Sequence, residues 1–262
     1  MAIVAPFKGL RFNEDKAGHL AQLITPPYDI ISEEQQDIYY KKNPYNIIRL
    51  EYGKTFEDDD STNNRYVRAA KYLNSWRNEG ILVRDKQPSI YLCQHEFEIN
   101  STKMIRWGFT CNVKLEPYER GVILPHEETL PRHKADRLEL MRACQANFSP
   151  IFGLYTDKEL QIDKLLQSEA SGNAPDIEIM DEEGHTHRMW LIKNKEVISQ
   201  LQKKMFDQRI LIADGHHRYE TALTYKNELR AREKISSGEE KPYDYVMMNL
   251  VNLYDPGLLI LP

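Results

Sequence analysis

The sequence predicts an α+β fold, mixed sheets with interleaved helices, and three observations predict it. Two pairs of strand-like runs are each joined by a short polar turn: Ser89–Ile99 with Met104–Val113 across Asn100–Lys103, and Asp176–Met180 with His185–Ile192 across Asp181–Gly184. Both read as hairpins. Tyr66, Ala69, Leu73 and Trp76 form one stripe of an amphipathic helix, and Gly80 stands where a C-terminal cap belongs. The apolar run Ile210–Ala213 stops at Asp214-Gly215, and a helical pattern with Ala222, Tyr225 and Leu229 on one face begins at once. That is a strand, a tight turn and a helix. Hairpins alternating with helices bury their apolar faces by layering.

The 262 residues allow one large domain or two small ones, and the 41% hydrophobic content supplies a sizeable core. The expected division is an N-terminal region over 1–85 and a second region over 86–262, with an insertion at about 156–207. A net charge of -5 weighs against nucleic acid as a partner. No run of about 18 apolar residues exists to span a membrane. MAIVAPFKGLRF lacks the basic and apolar regions of a signal peptide. Cys93, Cys111 and Cys144 are odd in number and widely spaced, which suits reduced thiols in the cytoplasm.

Ala5–Phe12 is expected to form a first strand. In Thr25-Pro26-Pro27-Tyr28-Asp29 the proline pair holds the backbone extended. It makes Tyr28 and Asp29 candidates for a substrate pocket, with a core tyrosine and a turn-capping aspartate as the plainer alternative. Ser32-Glu33-Glu34 opens a helix that Asn43-Pro44 ends, and Asn46–Glu51 reads as a strand. Glu57–Asp60 is a solvated acidic loop. Asn147–Tyr155 is a strand, Asp157–Ser168 and Asn194–Phe206 are helices, Arg230–Lys241 is a charged loop and Tyr243–Asn252 a last strand. The apolar end Leu258–Pro262 suggests a chain cut from a longer one.

Two stretches carry candidate chemistry. In the first, His216, His217 and Arg218 crowd into the first turn of the helix after Gly215. A cation there opposes the helix dipole at a cost of about 0.3–1 kcal/mol, and a bound anion would offset it. Gly215, His216, His217 and Arg218 are therefore candidate phosphate-binding residues, and Asp214 suits the N-cap. The plainer account pairs Arg218 with a surface acid and packs the histidines. The second stretch follows the apolar run Val122–Leu124: Pro125, His126, Glu127 and Glu128 leave a strand exit, and Lys134 and Arg137 follow. Glu127 suits a general base or a cation ligand, and His126 the pocket beside it. Lys134 and Arg137 add positive charge toward an anion, unless Arg137 pairs with Asp136 or Glu139. HEETL lacks the second histidine of a helical zinc site. His95 reads as structural, and His185 and His187 lack a third ligand, so no metal is assigned.

TPPYDII (Thr25–Ile31), NPYNIIRLE (Asn43–Glu51), LPHEETLPRHKADRLEL (Leu124–Leu140), SPIFGLY (Ser149–Tyr155) and LIADGHHRYETAL (Leu211–Leu223) together resemble domain of unknown function family 1015. The order from Val122 onward is also similar to the ParB/sulfiredoxin superfamily. That resemblance implies a nucleotide-binding core in the C-terminal half, with the Asp214–Arg218 turn cradling nucleotide phosphates. Some members phosphorylate free serine through a glutamate in a PHEE-like segment. The implied function is a phosphotransferase using ATP or ADP, with or without Mg²⁺, on a small hydroxyl compound. Glu127 would take the hydroxyl proton, and Asp214 would cap the helix or hold the cation. A nucleotide-switched binding protein is the alternative. A metal-dependent hydrolase built from His126, Glu127, His216 and His217 is a third reading.

Overall fold

A computed structural model describes residues 1–127, 131–233 and 238–259, and backbone alone for 131–133. It has the expected α+β architecture, with one large mixed sheet and interleaved helices. Residues form two compact units. One comprises 1–8, 87–135 and 150–262, the other 9–86 and 136–149. The chain passes between the two units at 8/9, 86/87, 135/136 and 149/150.

The larger unit is built on a nine-stranded sheet. In chain order its strands are β1 (Val4–Ala5), β4 (Ile90–Ile99), β5 (Thr102–Lys114), β6 (Ile123–Leu124), β7 (Ile151–Tyr155), β8 (Ile177–Met180), β9 (Thr186–Ile192), β10 (Ile210–Asp214) and β11 (Tyr245–Asn252). Their spatial order is β6-β10-β7-β11-β5-β4-β9-β8, with β1 also on β5. Both expected hairpins form, and β4 pairs with β9 so that the two hairpins join edge to edge. β6 with β10 and β7 with β11 are the parallel pairs. Burial follows the apolar runs: Ile90, Phe109, Ile123, Ile151, Ile210, Ile212 and Leu250 are each at most 1% exposed. Each such side chain stabilises the unit by roughly 1.5–3 kcal/mol. Helices α6 (Gln161–Ala170), α7 (Lys195–Phe206) and α8 (His216–Glu233) belong to this unit.

The smaller unit holds β2 (Leu10–Phe12) paired with β3 (Leu82–Arg84), and helices α1 (Glu14–Ala17), α2 (Glu33–Lys42), α3 (Ile48–Glu51) and α4 (Arg65–Asn78). Ser32 and Gln35 close a reciprocal capping box on α2. The α4 stripe packs as its period predicts: Leu73 and Trp76 are buried with Leu23, Leu50 and Ile81, and Phe148 packs against them. Helix α5 (Pro131–Cys144) starts on its proline, which lacks only an N–H that a first helical turn leaves unpaired. It lies in the larger unit through residue 135 and in the smaller one from 136.

Four local expectations are corrected. Ala5–Phe12 is not one strand: β1 and β2 enter different sheets, and Phe7 bridges to Ser89 between them. Asn46–Glu51 is not a strand: Ile48–Glu51 is a short helix, and the Asn46 side chain accepts from the Ile48 N–H at 2.9 Å just ahead of it. Tyr28–Ile30 winds into a 3₁₀ turn after the two prolines. The expected loop at Arg230–Lys241 begins later, because α8 continues to Glu233. Glu128 and Thr129 of the strand exit, 234–237, and the last three residues of the apolar end fall outside the described residues.

Candidate functional site

Strands β6 and β10 run parallel, with Ile123 opposite Ile210 and Leu124 opposite Leu211. Glu127 stands three residues beyond Leu124, and Asp214 three beyond Leu211. Two strand exits at the same edge of a sheet therefore deliver the two candidate stretches side by side, at the carboxyl ends where open sheets bind ligands. Gly215 then turns the chain at φ +94°, a left-handed conformation that a β-carbon disfavours, and α8 starts at His216.

The centre of the site is His216, whose side chain is 0% exposed. Its Nε2 faces the backbone N–H of His126 at 3.3 Å, so that nitrogen accepts. The neutral ring then carries its proton on Nδ1. Nδ1 lies 2.9 Å from Oε1 of Glu127. The contact is close but off the ring's N–H direction, so it is an electrostatic pairing that falls short of an aligned hydrogen bond. Burial pulls the His216 pKa below its ordinary value; Glu127 opposes the shift and His126 adds to it. The Glu127 side chain is 53% exposed, with its free face toward solvent. The His126 ring packs edge-on against His216, 4.5 Å between centroids. Its Nδ1 donates to the Ile212 carbonyl at 2.6 Å.

His126, Glu127 and His216 present ligand atoms within 4.8 Å of one another. The proton pattern decides against a metal triad. The His126 N–H is backbone and cannot withdraw, so the lone pair of His216 stays on Nε2 and Nδ1 remains a donor. The set fits a histidine–carboxylate dyad better than a cation cage.

The crowded first turn of α8 is relieved from within. Arg218 folds back over Gly215, donates to the Pro150 carbonyl at 2.5 Å and pairs with the Asp214 carboxylate. A β-carbon on residue 215 would come within 3.0 Å of that guanidinium. Asp214 thus ends β10 and holds Arg218, and the residue immediately before α8 is Gly215. His217 is half-buried beside it. Lys134 reaches the same helix through Glu220, Nζ to Oε2 2.9 Å.

Three candidates lie in the smaller unit. Arg137 is 6% exposed, with its guanidinium on Asp136, on the Glu51 carbonyl at 2.9 Å and over the Tyr28 ring at 3.9 Å. Tyr28 is buried and Asp29 exposed. Burial would raise Asp136, but Arg137, the Tyr66 hydroxyl and Arg65 outweigh it and hold the carboxyl below its usual range. The structure brings Glu127, His126, Asp214, Gly215, His216, His217, Arg218 and Lys134 into one unit, and Arg137, Tyr28 and Asp29 into the other.

Sequence reasoning missed Tyr219. It is fully buried, its hydroxyl donates to the Glu116 carbonyl at 2.7 Å and accepts from the Glu116 N–H at 3.0 Å, and its ring stacks on Tyr118. It fixes α8 against the strand connection after β5. Its place one turn after Gly215 was a visible signal; its partner was not.

Residues 4–262 match a family described as protein of unknown function (DUF1015). No curated protein and no solved structure matches the chain.

Proposed function

From a chain that belongs to the DUF1015 family, we propose a nucleotide-dependent phosphotransferase acting on a small hydroxyl compound. The single observation that carries the reading is the half-exposed Glu127 carboxylate held 2.9 Å from a wholly buried, neutral His216 at the first turn of α8. A general base needs a fixed carboxylate with one face open to substrate, and a helix N-terminus offers backbone N–H groups to phosphate. The substrate class rests on the resemblance of the two sequence motifs to those of the ParB/sulfiredoxin superfamily and its free-serine kinases.

Glu127 takes the proton of the substrate hydroxyl as its oxygen attacks phosphorus and the bond to the nucleotide's leaving oxygen breaks. His216 holds the carboxylate as an uncharged neighbour at 2.9 Å. The helix N-terminus of α8 and the N–H groups of Arg218 not used by Asp214 and Pro150 would face the phosphates. Lys134 adds positive charge from the side of Glu220. A divalent cation bound with the phosphates would neutralise charge there. Oδ1 of the half-exposed Asp214, the oxygen not paired with Arg218, would be the ligand for such an ion.

Thermal shift against ATP and ADP, with and without Mg²⁺, tests binding. ³¹P NMR with mixtures of hydroxyl amino acids and sugars tests turnover. Glu127→Gln is expected to keep the nucleotide shift and to lose turnover by about 10²–10⁴-fold. Absence of any nucleotide shift, or full turnover in Glu127→Gln, sinks the reading. A shift with no turnover in any mixture assigns the chain to the nucleotide-switched binding class instead.

A further inference from the structure

A second cluster of ligating side chains lies across the two joined hairpins. His95 on β4 is the register partner of His187 on β9, and their rings stack at 4.4 Å and 9°. His185, from the turn between β8 and β9, meets His95 edge-on at 5.2 Å. Asp181 stands at the other end of that turn. Its Oδ1 accepts from the backbone N–H groups of Glu183 and His185 at 3.0 and 2.9 Å. Its Oδ2 is thereby aimed at the histidines, 2.8 Å from Nε2 of His187 and 3.6 Å from Nδ1 of His185. Glu183 adds a second carboxylate 3.6 Å from the same Nδ1. The Nε2 of His95 is buried and has no hydrogen-bond partner. Ligand atoms of His95, Asp181 and His185 all lie within 4.8 Å of one another.

The geometry points to a binding site for a borderline divalent cation such as Zn²⁺, held by His95, His185 and Asp181. Two imidazoles and a carboxylate are a donor set for such ions, while Mg²⁺ and Ca²⁺ select oxygen. Bonds of about 2.1 Å in a tetrahedral site place ligand atoms roughly 3.4 Å apart. The 3.6 Å between Asp181 and His185 already meets that spacing, and only His95 has to close in. His187 donates to Oδ2 and serves as the outer partner that orients the carboxylate. Asp181 and His185 are partly exposed, which leaves the fourth position to water.

One contact opposes binding. Arg106 donates to Nδ1 of His95 at 3.1 Å, so the ring proton sits on Nε2. Cation binding moves that proton to Nδ1 and requires the guanidinium to swing away. This is where the cluster differs from His126, Glu127 and His216: the opposing donor there is an immobile backbone N–H, and here it ends a flexible side chain.

The test is calorimetric titration of Zn²⁺ into the chelator-stripped chain. One Zn²⁺ per chain is expected, undisplaced by an equal concentration of Mg²⁺. His185→Gln and Asp181→Asn should each weaken binding at least tenfold. His126→Gln should leave it unchanged. His185 lies in a partly exposed turn, so circular dichroism of His185→Gln should match the parent and keep that arm decisive if Asp181→Asn disturbs the turn. No Zn²⁺ binding, full affinity in His185→Gln, or loss of binding in His126→Gln overturns the assignment.

Discussion

A carboxyl group's surroundings decide which way it couples to pH, and Asp163 is the clearest case in the larger unit. It is 8% exposed, and its Oδ2 accepts from Asn252 at 2.8 Å and Tyr155 at 3.3 Å. Burial raises its pKa, and those two hydrogen bonds only partly oppose the shift. The folded state therefore binds the proton more tightly than the unfolded chain does. Asp163 contributes stability that is fully present below the unfolded value near 4, and it is lost as pH rises through the raised value. Asparagine copies the shape of the protonated acid and cannot ionise. Asp163→Asn is expected to melt higher than the parent at pH 7 and to lose that advantage toward pH 4. A parent that stays the more stable at pH 7 would show that the carboxylate is held favourably in its charged form.

At the scale of an element, the turn from β10 into α8 is a small machine held by Arg218. Its guanidinium links the end of β10 (Asp214), the carbonyl of Pro150 just before β7 and the first turn of α8, with 13% of the side chain exposed. Lysine can place one ammonium near Asp214 but cannot span both acceptors. Arg218→Lys is expected to destabilise the unliganded chain by about 1.5–3 kcal/mol, the range for a hydrogen bond to a charged group. Chemical denaturation measures it. An unchanged midpoint would show that the clamp contributes little, leaving the guanidinium's charge to the phosphates alone. The signs of this turn were legible in the residues themselves: an apolar run, a glycine and a helical period follow in order. The internal ion pair that relieves its charge was not, because Asp214 and Arg218 are four apart and only the turn at Gly215 folds one onto the other.

At the scale of the whole molecule, the chain passes between its two units at 8/9, 86/87, 135/136 and 149/150. The 136–149 segment packs Cys144, Ala146 and Phe148 against a core drawn from residues 17–82, and its Arg137 is held by Glu51 and Tyr28. A fragment cut at the boundary the sequence suggests, 86–262, keeps this segment and loses everything it packs on. It would expose Phe148 and take the Glu51 acceptors and the Tyr28 ring away from Arg137, whose pair with Asp136 stays within the fragment. The fragment is expected to aggregate or to melt well below the full chain. A soluble 86–262 fragment melting as the full chain does would show that 136–149 needs no partner.

Local sequence settled what depends on local chemistry. Side-chain period marked both hairpins, the Tyr66–Trp76 helix, and the strand, turn and helix around Gly215, because each carries its own apolar face and its own breaker. A short apolar run does not carry that information. Asn46–Glu51 reads as a strand by pattern, and the chain instead winds into a helical turn at Ile48–Glu51. The motifs and the resemblance they carry set Glu127 and the His216–Arg218 turn in one expected pocket; the contact itself, the His126 N–H on His216 across 90 positions, comes from the parallel pairing of β6 with β10. The pairing of β4 with β9 likewise set His95 against His187, which read apart as a structural residue and a surface residue. Strand pairing between distant segments is chosen by the burial of the entire sheet, a sum over residues that no single window contains. The chemistry of each candidate side chain was therefore fixed by the sequence, and its neighbours were fixed by the tertiary structure.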